Sequence, residues 1–115
     1  MYEQAIARGI VGLVEEERDR MGGRRIDAVH IQVGELSGVT SEVLRSSFAS
    51  VTAATRLAGT RLVVEDVPVR VKCPHCGAPR GVHSQDDFRC VVCDTPSLEV
   101  LTGRELAVVA FEVDG

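Results

Sequence analysis

Cys73-Pro74-His75-Cys76 and Cys90-Val91-Val92-Cys93 hold all four cysteines of a 115-residue chain, as two C-x2-C pairs separated by 13 residues. Each pair can fold into a tight turn that aims two sulfurs and the following backbone N–H groups at one point. Two such turns face to face present four thiolates at tetrahedral corners, the geometry in which structural Zn²⁺ is held. The spacing lies close to that of known sites of this type. Pro74 stiffens the first turn, and Gly77 lets the backbone curl round the metal with positive φ. Cys73, Cys76, Cys90 and Cys93 are therefore expected to be zinc ligands. A closed set of four leaves no position for water or substrate, so the expected role is structural. The same cysteines have three other uses. Two disulfides are argued against by the absence of a signal-peptide pattern at the start of the chain, since cytosolic thiols are kept reduced. A redox C-x-x-C belongs on a thioredoxin-like βαβ unit, whereas here two pairs flank a polar loop. Spacing alone does not distinguish zinc from iron.

The elements that must position these sulfurs come from a chain of one-domain length with a modest core. Only Tyr2, Phe48, Phe88 and Phe111 are aromatic, so Val, Leu, Ile and Ala must fill the interior. The formal net charge is −4, opposite in sign to that of a general nucleic-acid binder, and four thiolates add negative charge of their own. No apolar run approaches the roughly 20 residues of a membrane-spanning helix. The expectation is a soluble, cytoplasmic protein that binds neither nucleic acid nor membrane.

From Gln4 to Met21 the apolar residues Ile6, Ile10, Leu13, Val14 and Met21 recur at helical spacing, with Glu15 to Arg20 forming a solvated face and Gly22-Gly23 ending the helix. Arg25 to Glu35 changes to period two, placing Val29, Ile31 and Val33 on one face and Ala28, His30 and Gln32 on the other. His30 reads as a surface or hydrogen-bonded strand residue. Thr40 can cap a second helix with a buried stripe of Leu44, Phe48 and Val51, and Glu42 suits its first turn. Arg61 to Lys72 reads as strand interrupted at Pro68. Gly77 to Arg89 reads as the polar connecting loop of the metal ribbon. Leu98 to Leu101 and Glu105 to Val113 return to strand, with Ala107, Val109, Phe111 and Val113 on one face. The expected fold is α+β: a small mixed sheet with two helices on one face and an inserted zinc-ribbon subdomain. The boundaries fall at 1–70 plus 98–115 for the α/β domain and 71–97 for the ribbon.

Several of these features resemble one family. Met1-Tyr2-Glu3 runs directly into an amphipathic helix, a strand ends in Val33-Gly34-Glu35-Leu36-Ser37, two C-x2-C pairs follow, and the last strand opens with Gly103-Arg104-Glu105-Leu106. In this order and spacing they are similar, nearly end to end, to the HypA/HybF family of hydrogenase maturation nickel metallochaperones. The resemblance implies a nickel-binding α/β domain carrying a structural zinc ribbon. It also implies delivery of Ni²⁺ to the large subunit precursor of [NiFe] hydrogenase, together with a maturation GTPase of the same pathway. The four cysteines carry over without substitution.

Members of that family typically begin Met-His-Glu, and the second-position histidine supplies nickel with an imidazole. Tyr2 stands there in this chain. A neutral imidazole is a good ligand for Ni²⁺, whereas a phenol with a pKa near 10 is mostly protonated at neutral pH. The remaining nickel ligands implied are the Met1 α-amine, the backbone nitrogens that follow it and the Glu3 carboxylate, with His75 and His83 as alternative nitrogen donors. Nickel binding at Met1, Tyr2 and Glu3 is accordingly expected to be transient and weak. Two functions follow from different classes: a nickel-delivery accessory protein, and a zinc-only protein-interaction module in which Tyr2 has removed nickel binding. No nucleophile lies in a motif with an adjacent base, so the protein is not read as an enzyme.

Overall fold

A computed structural model of the protein describes residues 2–114. Helix α1 spans Tyr2–Arg20, strand β1 Ile26–Gly34, helix α2 Ser41–Thr52 and strand β2 Arg61–Val67. They are followed by β3 Arg70–Cys73, β4 Ala78–Ser84, β5 Asp87–Cys90, β6 Val100–Thr102 and β7 Leu106–Val113. Two helices and two sheets make an α+β fold, as expected. The chain forms two compact units, one of residues 1–32, 39–65 and 107–115 and another of residues 33–38 and 66–106.

In the first unit α1 packs on α2, and β1 is the middle strand of a sheet ordered β2-β1-β7. The strands before and after the metal segment thus flank the first strand. The buried stripe of α1 is Ala7, Ile10 and Val14, and that of α2 is Leu44, Phe48 and Thr52. Leu13 and Val51 were expected in these stripes, but Leu13 is 49 % exposed and Val51 is only half-buried. An Ala at i−3 and a Thr at i+4 complete the stripes instead, and small or polar side chains carry a weak signal. Thr52 meets the cost of its burial by donating from Oγ1 to the Phe48 carbonyl at 2.8 Å. The end of α1 is a Schellman turn, in which the Gly23 N–H donates to the Arg18 carbonyl at 2.8 Å with Gly22 at φ 75°.

Strand β1 buries Ile26, Ala28, Val29, Ile31 and Val33, while half-buried His30 and Gln32 find partners on the flanking strands. His30 Nε2 lies 2.5 Å from Glu112 Oε2 on β7, and the Gln32 amide donates to Glu65 on β2 at 3.1 Å. On β7 the expected apolar face is only partly covered, with Phe111 and Val113 half-buried and Val109 53 % exposed. The acidic face of α1 is not wholly solvated, because Arg56 donates to Glu15 and to Asp19 at 3.1 Å.

The second unit has a sheet ordered β5-β4-β3-β6. Strand β3 pairs antiparallel with both neighbours, Cys73 opposite Ala78 on β4 and Val71 opposite Val100 on β6. The segment expected to be a polar loop is therefore the hairpin β4-β5. Its hydrophilic sequence does not mean absence of strand pairing: apart from Cys90 its side chains are half-buried or exposed in no alternating order, so period-two burial never develops in it. The strand expected from Leu98 shrinks to β6, because Leu98 points outward and Ser97 turns the chain by donating its hydroxyl to the Lys72 carbonyl at 2.7 Å.

The Val33–Ser37 and Gly103–Leu106 motifs meet within this unit. The Gly34 N–H donates to the Glu105 carbonyl at 2.6 Å, that of Leu36 to Gly103 at 2.7 Å, and that of Glu35 to Val67 at 2.9 Å. Two carboxylates complete the junction, Glu35 accepting the Val69 N–H at 2.9 Å and Glu105 accepting the Gly103 N–H at 2.7 Å.

Candidate metal centre

Both knuckles are built alike. In the first, which joins β3 to β4, the Gly77 N–H donates to the Cys73 carbonyl at 2.8 Å and the Cys76 N–H donates to Cys73 Sγ at 3.3 Å. In the second, which follows β5, the Asp94 N–H donates to the Cys90 carbonyl at 2.8 Å and the Val92 N–H to Cys90 Sγ at 3.4 Å. The residue after each second cysteine is left-handed, Gly77 at φ 68° and Asp94 at φ 61°. Cys73 and Cys90 are buried, and Cys76 and Cys93 are half-buried.

The four sulfurs lie within 4.8 Å of one another. Cys73 and Cys93 are 3.5 Å apart, Cys76 and Cys93 3.7 Å, and Cys76 and Cys90 4.0 Å. Regular tetrahedral coordination with Zn–S near 2.3 Å needs sulfurs about 3.8 Å apart. The quartet is therefore at the separation a single zinc-sized ion requires. All four are free thiols, and their spacing is well beyond the S–S bond of about 2.05 Å that a disulfide would need.

The surroundings of the sulfurs divide them. Thr95 hydrogen-bonds Cys93 through its hydroxyl, 3.2 Å from Sγ, and through its backbone N–H, and these bonds bring the thiol down to about 6. The Arg80 guanidinium acts in the same direction on Cys76, but burial and hydrogen bonds with the other three thiols prevail and push it up to about 11. Four clustered thiols thus shed protons stepwise, and a divalent cation would replace the last of them. Arg80 also supplies positive charge toward Cys90 and Cys73. Arg80 and Thr95 both escaped the sequence reading. Thr95 was visible as a hydroxyl two residues after a ligand, whereas Arg80 is brought to the site only by strand pairing.

The nickel residues fall differently. Met1 lies outside the described residues. Tyr2 is the first residue of α1 and is 53 % exposed. Glu3 has a carboxylate that accepts the Thr40 N–H at 3.0 Å, which lowers its pKa. His75 is exposed on the first knuckle, and His83 Nε2 lies 2.5 Å from Asp94 Oδ1.

Fold and site together define a small α+β metal-binding protein with a paired-knuckle tetrathiol centre. Residues 1–113 match the family described as "Hydrogenase/urease nickel incorporation, metallochaperone, hypA". The hydrogenase maturation factor HypA of Chloroflexus aurantiacus is 43 % identical over 112 residues, covering 97 % of this chain and 98 % of that protein. The corresponding factor of Geobacter metallireducens is 37 % identical, covering 99 % and 100 %. Two solution structures share the fold at 20 % identity. One, of a HypA protein, has a TM-score of 0.69 and covers 99 % of this chain and 97 % of that one. The other, of the nickel metallochaperone HypA from Helicobacter pylori, has a TM-score of 0.62 with 96 % of each chain covered. The chain belongs to the HypA family.

Proposed function

We propose that this protein is a nickel metallochaperone of hydrogenase maturation, with a resident zinc held by Cys73, Cys76, Cys90 and Cys93. The observation that carries the reading is the family match along residues 1–113, and the tetrahedral spacing of the four sulfurs supports the zinc assignment. On this reading residues 71–97 are the zinc ribbon and the rest of the chain is the nickel-binding-type domain. The protein performs no catalysis. It works in the cytoplasm, hands Ni²⁺ to the large subunit precursor of [NiFe] hydrogenase, and cooperates with the pathway's GTPase, without nucleic acid or membrane as a partner. No described helix is long and apolar enough to cross a membrane.

Nickel as cargo would be taken by the Met1 amine, the backbone nitrogens after it and Glu3. Two features weaken that site. Tyr2 offers a phenol in place of an imidazole, and Glu3 must give up the Thr40 N–H to bind metal through the same oxygen. These features favour a second reading, a zinc-only interaction module. Calorimetric titration of zinc-loaded protein with Ni²⁺, beside Tyr2→His, separates the two. The metallochaperone reading expects weak but saturable binding by the parent and binding at least tenfold tighter by the variant, about 1.4 kcal/mol. No binding by the parent and tight binding by the variant would favour the module. Equal binding by both would remove the N-terminal site.

A further inference from the structure

The two knuckles differ at the residue that closes each turn. The first closes on Gly77, which takes φ 68° without steric cost, and the second closes on Asp94, which takes φ 61° with a side chain in place. Asp94 is the only described non-glycine residue with positive φ. Its N–H reaches the Cys90 carbonyl, and its left-handed φ turns the chain back so that the Thr95 carbonyl accepts the Cys90 N–H at 3.0 Å and the Thr95 hydroxyl lies 3.2 Å from Cys93 Sγ, which ties its conformation to both cysteines of the knuckle. An aspartate tolerates this region better than most residues, but a strained backbone persists only where its surroundings hold it.

Its side chain is paired with the imidazole of His83. Nε2 of His83 is 2.5 Å from Asp94 Oδ1, joining strand β4 to the far side of the knuckle. The pairing of β4 with β5 shifts register between Val82, opposite Cys90, and Ser84, opposite Asp87. His83 lies at that irregularity, a place where side chains are re-aimed. Other charged groups near it are Asp87, which is occupied by a two-pronged contact from Arg89 at 2.9 and 2.6 Å, and Arg89 itself.

We propose that His83 is a positioning residue of the metal centre, which fixes Asp94 in the left-handed conformation that a glycine supplies in the first knuckle and so holds Cys90 and Cys93 in ligating geometry. The proposal rests on the zinc reading above. It commits His83 to the ribbon and removes it as a nitrogen donor for nickel.

A double-mutant cycle on the zinc-loaded full chain tests it, with zinc affinity measured by competition with a chromophoric chelator for the parent, His83→Ala, Asp94→Gly and the double variant. His83→Ala is expected to weaken zinc binding about three- to fivefold, the range that loss of an exposed charge pair can supply. In the Asp94→Gly background, where the turn needs no tether, the same substitution is expected to change affinity by less than about twofold. Unchanged affinity in His83→Ala, or an equal loss in both backgrounds, would overturn the proposal. Should His83→Ala fail to fold, His83→Gln decides, because its amide can still donate to Asp94. Retained affinity supports the tether, and a loss as large as about three- to fivefold refutes it. A parent that holds no zinc would refute the zinc reading itself, and that is seen before any variant is compared.

Discussion

Glu3 illustrates how one carboxylate can serve a helix to which it does not belong. Thr40 is the N-cap of α2, yet its side chain makes no capping hydrogen bond. In a capping box the third helical residue would reach back to the N-cap N–H, but Val43 stands there, and Glu3 of α1 accepts that N–H instead. The bond depresses the Glu3 pKa below 4.5. A group depressed on folding contributes its stability above the unfolded pKa and loses it as pH falls through the folded one. Glu3→Ala is therefore expected to lower the melting temperature by a few degrees at pH 7, with the gap to the parent narrowing as pH is taken below 4.5. A gap independent of pH, in melts followed by circular dichroism, would show that the carboxylate's charge contributes nothing. The sequence announced Thr40 as a cap but not its partner, because a contact across 37 residues leaves no local pattern.

Where β1 ends, the backbone is approached closely by the segments before β3 and before β7. A Cβ on Gly34 would lie 2.2 Å from the Gly103 carbonyl oxygen, and one on Gly103, which is at φ 116°, would lie 2.9 Å from the Val69 Cα. These neighbours are backbone atoms that cannot step aside. Gly34→Ala and Gly103→Ala are each expected to cost about 3 kcal/mol in urea melts at fixed zinc. Gly12, inside α1 with nothing within 4 Å of its would-be Cβ, gives the opposite sign. Gly12→Ala should stabilise by up to about 1 kcal/mol, the difference in helix propensity. Losses of less than about 1 kcal/mol at both junction glycines would contradict the close approach. Helices and first strand were legible here because their apolar periodicity is strong. The β4-β5 hairpin was not, since a ribbon whose side chains are half-buried or exposed up to Cys90 has no buried face to write an alternation into the sequence.

At the scale of the molecule the two units are stabilised differently. Ala7, Ile10, Val14, Ile26, Ala28, Val29, Ile31, Leu44, Phe48 and Leu57 are buried in the first unit. In the second the buried aliphatic side chains among the described residues are only Val33, Val69 and Val71, joined by Cys73 and Cys90. So thin a core cannot offset the entropy of ordering that unit, and a bound ion can supply what is missing. The cysteine spacing made this centre legible before any coordinates, because metal coordination demands specific residue types at specific intervals. The means of holding it, Arg80, Thr95 and the His83–Asp94 pair, depend on pairing that spacing does not encode. X-ray absorption at the zinc edge of protein purified under reducing conditions tests the central claim most directly. The account predicts one zinc per chain surrounded by four sulfurs at about 2.3 Å. Protein without zinc, or zinc bound mainly by nitrogen and oxygen, would contradict it.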